Sequence, residues 1–173
     1  YPEQQFALID AVCEGEQPEN VTSLLFEDNA SAYLTGLIAG RMTETNKVGF
    51  IGGMESPVIS KFDYGFRAGV KAANPDAEVM VQYANSFTDS ALGKTIANQM
   101  HSKNADIIFT CAGAVGIGAI EAAKENGKKA IGVDQDQNSL APENVITSAM
   151  KNIDVSVEEM LSKVVDGSYK GGE

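Results

Sequence analysis

The sequence predicts a doubly wound α/β protein built on a parallel sheet, and three observations carry that prediction. Short runs rich in Val, Ile and Phe recur along the 173 residues, separated by longer segments of helical period. Most of these runs are continuously apolar instead of alternating, as expected of strands covered on both faces. From residue 47 to residue 145 strand and helix candidates alternate strictly, an order for which right-handed crossovers are the rule.

Taken in order, the strand candidates are 6–10, 21–26, 47–51, 79–83, 107–111, 130–134 and 145–149. A helix over 29–42 carries Tyr33, Leu37 and several small residues. The helix over 56–73 sets Ile59, Phe62, Phe66 and Val70 on one face; Pro57 suits its first turn and Asn74-Pro75 stops it. Over 89–101, Leu92, Ile96 and Met100 form a stripe, with Asp89 or Ser90 available as N-cap. The segment 114–126 is Ala-rich and ends at Gly127, a C′ glycine. A last helix starts near Asp154, shows a capping-box pattern in Ser156 and Glu159, and is expected to bury Val157, Met160, Leu161 and Val164.

Three blocks follow. Residues 43–150 are expected to form one complete α/β lobe, entered through the polar joint at 43–46 and left at Lys151-Asn152. Residues 1–42, two strands and a helix, are too little for a sheet of their own and are expected to be part of a second lobe. The helix within 151–173 is expected to return to that partial lobe. The chain opens at Tyr1-Pro2 and runs quickly into an apolar strand, which is expected of a processed or truncated chain.

Composition removes several function classes. There are 13 Lys plus Arg against 24 Asp plus Glu, a net charge of -11. A nucleic-acid binder needs a basic stripe, so that partner is not expected. No apolar run reaches the roughly 18 residues of a membrane span. Cys13 and Cys111 do not make a metal knuckle, and the single histidine, His101, weakens zinc and Ser-His-Asp readings. No metal, cofactor or catalytic residue is expected. His101 reads as a surface residue, and Cys111, behind Ile107 and Phe109, as a buried thiol.

In open parallel sheets ligands bind beyond the carboxyl ends of the strands. There the sequence places glycines, an aromatic, amides and carboxylates. Gly113, Gly116 and Gly118 follow a strand and open a helix, but their spacing is not the dinucleotide fingerprint. They read either as a tight turn or as backbone that approaches a ligand closely. Phe87, between Ser86 and Thr88, is either a stacking platform or a ring packed under a neighbouring loop. Asp134 and Asp136 flank Gln135 at a strand end; a carboxylate there can accept hydrogen bonds from a vicinal diol. The pair also fits an Asx-turn with an N-cap, whereas the glycine and glutamate of a calcium loop are missing. Lys151 is an ordinary solvated lysine or a contact to a hydroxyl or carboxylate.

Several segments in order resemble one family. They are YLTGLIAG at 33–40, KVGFIGG at 47–53, FDYGFRAG at 62–69, FTD at 87–89 with Gly93-Lys94, ADIIF at 105–109 with Ala112-Gly113, IGVDQDQ at 131–137 and TSAMK at 147–151. The chain is similar over essentially its whole length to the basic membrane protein (BMP/PnrA-like) family, nucleoside-binding lipoproteins of bacterial ABC transporters. The resemblance implies a periplasmic-binding-protein-like fold of type I, with a nucleoside, a purine nucleoside in family terms, held between two α/β lobes and delivered to a permease. It implies a receptor outside the cytoplasm, lipid-anchored to the cell membrane, and not an enzyme. By that likeness Phe87 stacks on the base, Asp134 holds ribose hydroxyls, Lys151 adds a sugar contact and Gly113 brings its backbone against the ligand. Asp136 either orients Asp134 or caps the turn. Members continue beyond both ends of this chain, so the part of lobe one in residues 1–42 is expected to expose strand edges and to self-associate. Rival readings are a sugar-type binding protein or the effector-binding core of a transcription regulator.

Overall fold

Residues 1 and 3–172 are described by a computed structural model, in which the chain divides into two compact units. The smaller joins the N-terminal segment up to Glu27 with the C-terminal segment from Asn152; the larger runs from Asp28 to Lys151.

In the smaller unit, strands β1 (Phe6–Ile9) and β2 (Val21–Leu24) pair in parallel, Phe6 opposite Val21. The Thr22 hydroxyl donates to the Tyr169 hydroxyl at 2.7 Å, and the Gly172 N–H to the Val21 carbonyl at 2.8 Å. Helix α5 (Ile153–Asp166) ends at Gly167 in the left-handed conformation. Two expectations fail here. The helix begins after Asn152, so Ser156 lies inside it and its hydroxyl donates back to the Asn152 carbonyl; the capping box does not form. None of the four apolar residues expected to be core is buried, and Leu161 and Val164 are exposed. Two four-residue strands supply too little apolar surface to cover a helix of 14 residues.

The larger unit is a five-stranded parallel sheet in the order β4-β3-β5-β6-β7. Its elements are α1 (Asp28–Met42), β3 (Lys47–Gly52), α2 (Pro57–Ala73), β4 (Glu78–Tyr83), α3 (Ser90–Ser102), β5 (Ile107–Cys111), α4 (Ala114–Glu125), β6 (Lys129–Asp134), a 3-10 turn (Asn138–Leu140) and β7 (Val145–Met150). The strand order reverses at β3, which has β4 on one side and β5 on the other. β5 is buried throughout, as its continuous apolar run predicts. Alternate residues serve opposite faces. Val48, Phe50 and Phe109 join Phe62, Phe66 and Val70 of α2, with Phe66 and Phe109 ring centroids 5.2 Å apart. Ile51 and Ile108 join Ile96 and Met100 of α3 and Val115 and Ala119 of α4. The predicted cap of α3 forms, with Asp89 Oδ1 accepting the Leu92 N–H, and Gly127 follows α4 with φ of 62° as expected; Ser56, expected as the first residue of α2, instead caps it, its Oγ accepting the Ile59 N–H.

Both helix layers are locked by glycine. On α1, Gly36 and Gly40 face α2; on α2, Gly65 and Gly69 face α1. A Cβ at Gly36 would overlap the Phe66 carbonyl, one at Gly65 the Asn29 carbonyl, and one at Gly69 the Tyr33 carbonyl. On the opposite face of the sheet, Gly93 of α3 sits on the Val115 carbonyl and Gly118 of α4 on that of Ser90. This interlock moves the expected boundary: α1 belongs with 28–151, so the larger unit starts at Asp28 and not at the joint 43–46. Its glycine face is therefore covered by α2 within that unit, while Leu34 and Met42 of α1 stay exposed. The joint is itself fixed, because the Asp106 carboxylate accepts from the Thr43 hydroxyl and from the Glu44 and Thr45 amides.

His101 is corrected as well. It is 7% exposed and its Nδ1 lies 2.9 Å from the Ala105 carbonyl, where it closes the turn after α3. Burial lowers its pKa from the ordinary value near 6.5.

Two outcomes are expected. Gly69→Ala forces α1 and α2 apart and should destabilise the unit by about 1–3 kcal/mol, read as a lower urea midpoint; an unchanged midpoint would show that the helices separate freely. Because the folded state resists protonating His101, the unfolded chain binds the extra proton below pH of about 6.5 and stability is lost as pH falls through that value. The urea midpoint of wild type should drop between pH 7.5 and 5.5, and that of His101→Gln should drop less.

Candidate ligand site at the carboxyl edge of the sheet

The reversal of strand order puts a crevice at the carboxyl ends of β3 and β5, the place where doubly wound sheets receive ligands. Three exits from the carboxyl edge of the sheet use backbone with positive φ: Asn85 after β4 (φ 53°), Gly113 after β5 (φ 56°) and Asp134 at the end of β6 (φ 66°). Each turns the chain abruptly off the edge, so the next residues lie beside the strand ends. Asn and Asp tolerate this conformation better than most side chains. Gly113 has a ψ of -128°, outside the left-handed helical well, and this combination is accessible in practice to glycine.

The loop from β4 to α3 carries Phe87 to the reversal point. Ser86 Oγ accepts the amides of Thr88 and Asp89, and Asp89 caps α3, so the loop is held from both sides. The Phe87 carbonyl accepts the Ala114 N–H at 2.8 Å, which fastens this loop to the start of α4. A Cβ at Gly53 would overlap the Phe87 ring, and one at Gly113 would stand 2.8 Å from the Phe87 carbonyl oxygen. Both glycines thus make room for Phe87. The ring packs on the Gly53 backbone and still keeps 38% of the residue's surface exposed. The two readings left open by the sequence are both partly met: the ring is packed, and it presents apolar surface at the edge.

Asp134 is exposed, and its carbonyl accepts the Lys151 N–H at 2.9 Å, joining the ends of β6 and β7. Asp136 Oδ1 accepts the Asn138 N–H, an Asx-turn that leads into the 3-10 turn, whose N-cap position is Gln137. Gln137 completes this corner: its Oε1 accepts the Val133 amide and its own amide donates to Ser148 Oγ.

Lys151 is not the solvated lysine that one reading expected. Its side chain is 4% exposed, with Nζ 2.9 Å from Asp28 Oδ1 and 5.3 Å from the centre of the Phe62 ring. Asp28 was not picked out by sequence reasoning; its one signal is an acidic residue in the first turn of α1, which any helix start favours. Asp63 was also missed. It is buried, paired with Arg67 at 2.8 Å, and accepts from the Tyr83 hydroxyl at 3.2 Å. At the end of β5, burial pushes the Cys111 thiol well up, with Asp134, Asp28 and Asp63 reinforcing the shift and Lys151 opposing it. Cys111 thus reports the charged groups gathered at this edge, and it stays a protonated thiol. His101 lies at the far end of α3, toward the amino ends of the strands, away from this edge.

The structure therefore gathers Phe87 with Gly113 and Asp134 with Lys151 on one edge, and gives Asp136 to the turn. The edge offers apolar ring surface, a carboxylate that accepts hydrogen bonds and glycine backbone that permits close approach. Among the described residues, no group of three or more His, Cys, Asp or Glu is placed to hold a metal.

The chain as a whole is similar to known proteins. The family described as ABC transporter substrate-binding protein PnrA-like (Bmp) matches residues 1–173. The ABC transporter nucleoside-binding protein BmpA of Lactococcus lactis is 42% identical over 188 residues, covering 99% of this chain and 53% of that protein. The chain spans about half the length of the curated relatives it matches. Among solved structures, a solute-binding protein of an ABC transporter system from Aeropyrum pernix superposes with a TM-score of 0.93 at 34% identity, over 99% of this chain and 51% of that one. A transcriptional activator of the comK gene from Bacillus halodurans gives 0.87 at 28% identity, over 99% and 58%. The α/β fold is thus the periplasmic-binding-protein-like fold of solute-binding proteins, and the chain belongs to the PnrA-like (Bmp) family of ABC transporter substrate-binding proteins.

Proposed function

We propose that this chain carries the ligand-holding edge of a nucleoside receptor that lies outside the cytoplasm, is lipid-anchored to the cell membrane and delivers a purine nucleoside to an ABC transporter permease. The observation that carries the reading is Phe87, held over the strand reversal by Gly53 and Ala114 with ring surface exposed. A planar base stacks on that ring, and such stacking contributes about 1–3 kcal/mol per base. Asp134 accepts hydrogen bonds from the ribose hydroxyls, and charge-assisted bonds of this kind are roughly twice as strong as neutral ones. Gly113 lets the backbone approach the ligand, Lys151 adds a cation beside Asp134, and Asp136 keeps the turn. The name of the Lactococcus lactis relative, a nucleoside-binding protein, supports the same ligand class. A net charge of -11 is compatible with an uncharged nucleoside and disfavours a phosphorylated one. Capture without turnover fits a buried, protonated Cys111 and a His101 remote from the edge.

The likeness to the comK activator favours a second reading, in which the same edge is the effector site of a regulator. Ligand class does not separate the two, whereas a basic helix-turn-helix in the complete protein would indicate the regulator.

Calorimetric titration of the complete protein with adenosine, inosine and guanosine should give heats that free ribose does not. Heats from sugars with none from nucleosides would overturn the reading. Phe87→Ala should weaken nucleoside binding by about 1–3 kcal/mol. Asp134→Asn should cost about 1.5–3 kcal/mol with ribonucleosides and little with a 2′,3′-dideoxynucleoside; equal losses with both would remove Asp134 from hydroxyl recognition.

A further inference from the structure

The larger unit has one chain entrance, Asp28, and one exit, Lys151, and the side chains of these two residues are bonded to each other. Lys151 Nζ and Asp28 Oδ1 are 2.9 Å apart, with side-chain exposures of 4% and 3%. A buried ammonium is strongly disfavoured without a buried counter-charge, so the place where Lys151 ends is set by where its carboxylate partner stands. Asp28 is well fixed. It is in the first turn of α1, where the helix dipole favours an anion, and α1 is held on α2 by the interlocked glycines. α2 also supplies the Phe62 ring that faces the ammonium at 5.3 Å. The root of Lys151 is fixed independently, by its amide bond to the Asp134 carbonyl. Backbone from the β6–β7 edge and side chains from the helix layer therefore converge on one cation.

We propose that Asp28 is a positioning residue for ligand recognition: its carboxylate holds the Lys151 ammonium at the carboxyl edge beside Asp134, without itself touching the ligand. This rests on the nucleoside reading of that edge, and it adds a residue outside the strand-end loops on which affinity depends. Asn at position 28 keeps the shape and the helix-start preference but lacks the charge; Glu keeps the charge on a longer stem.

The complete protein is acylated with acetic anhydride, labelling at each lysine is followed by mass spectrometry, and nucleoside affinity is measured in parallel. In wild type Lys151 should label at least ten-fold more slowly than exposed lysines such as Lys61. Asp28→Asn should remove that protection and weaken nucleoside binding at least ten-fold, with Asp28→Glu restoring most of both. The Asp28→Asn/Lys151→Met double variant should bind no more weakly than Lys151→Met alone. Asp28→Ser, which keeps a helix-start hydroxyl, replaces the amide variant if melting curves show that the latter is unfolded. Lys151 still protected in a folded Asp28→Asn protein overturns the proposal, as do affinity losses that add in full. If wild type binds no nucleoside, the receptor reading fails by itself, and the labelling of Lys151 still decides whether Asp28 holds it.

Discussion

The close approach of helix backbones on both faces of the sheet is the constraint on which the larger unit depends. Where Gly36 and Gly40 meet Gly65 and Gly69, carbonyl groups of one helix occupy the space that side chains of the other would need. The same contact recurs between α3 and α4 through Gly93 and Gly118. Close-packed layers fix the helix starts, and the helix starts fix the loops at the carboxyl ends of the strands. Asp89, Gly113 and Asp28 each stand at such a start, so the residues of the candidate site inherit their places from the packing beneath them.

The carboxyl edge applies the same logic at smaller scale. Residues with positive φ turn three chain exits sharply, and Phe87 occupies space that glycines at 53 and 113 leave vacant. An aromatic ring that is half packed and half presented has little conformational freedom left to lose, the property that the proposed stacking role would use. The loop is also hydrogen-bonded to the start of α4, so the ring is held in place by the protein itself.

Charge is distributed unevenly between surface and edge. Most carboxylates of this acidic protein are solvated, yet Asp28 and Asp63 are buried and each is answered by a cation, Lys151 and Arg67. Arg67 keeps its side chain partly in solvent, whereas Lys151 is buried with Asp28; a pair buried on both sides contributes little net stability compared with apolar packing but holds geometry firmly, because removing either partner strands a charge. Such a cost is consistent with the receptor role proposed for this edge, where a defined arrangement of donors and acceptors would matter.

Much of this was legible in the sequence. Short apolar runs, most of them continuous, pointed to the seven strands, helical stripes to α2 and to α3 with its Asp89 cap, and strand-end logic to Phe87, Gly113, Asp134 and Lys151, without long-range information. These features are local: period, turn chemistry and capping act over a few residues. What tertiary structure alone decided were the partners. The strand order that creates the crevice, the allegiance of α1 to the larger unit, the burial of His101 and the weak cover of α5 all depend on which surfaces meet. Asp28 is the clearest case. In the sequence it is an ordinary acidic helix start, and only folding brings it to Lys151, because the partner of a buried charge is chosen by proximity in space and sequence spacing does not encode it.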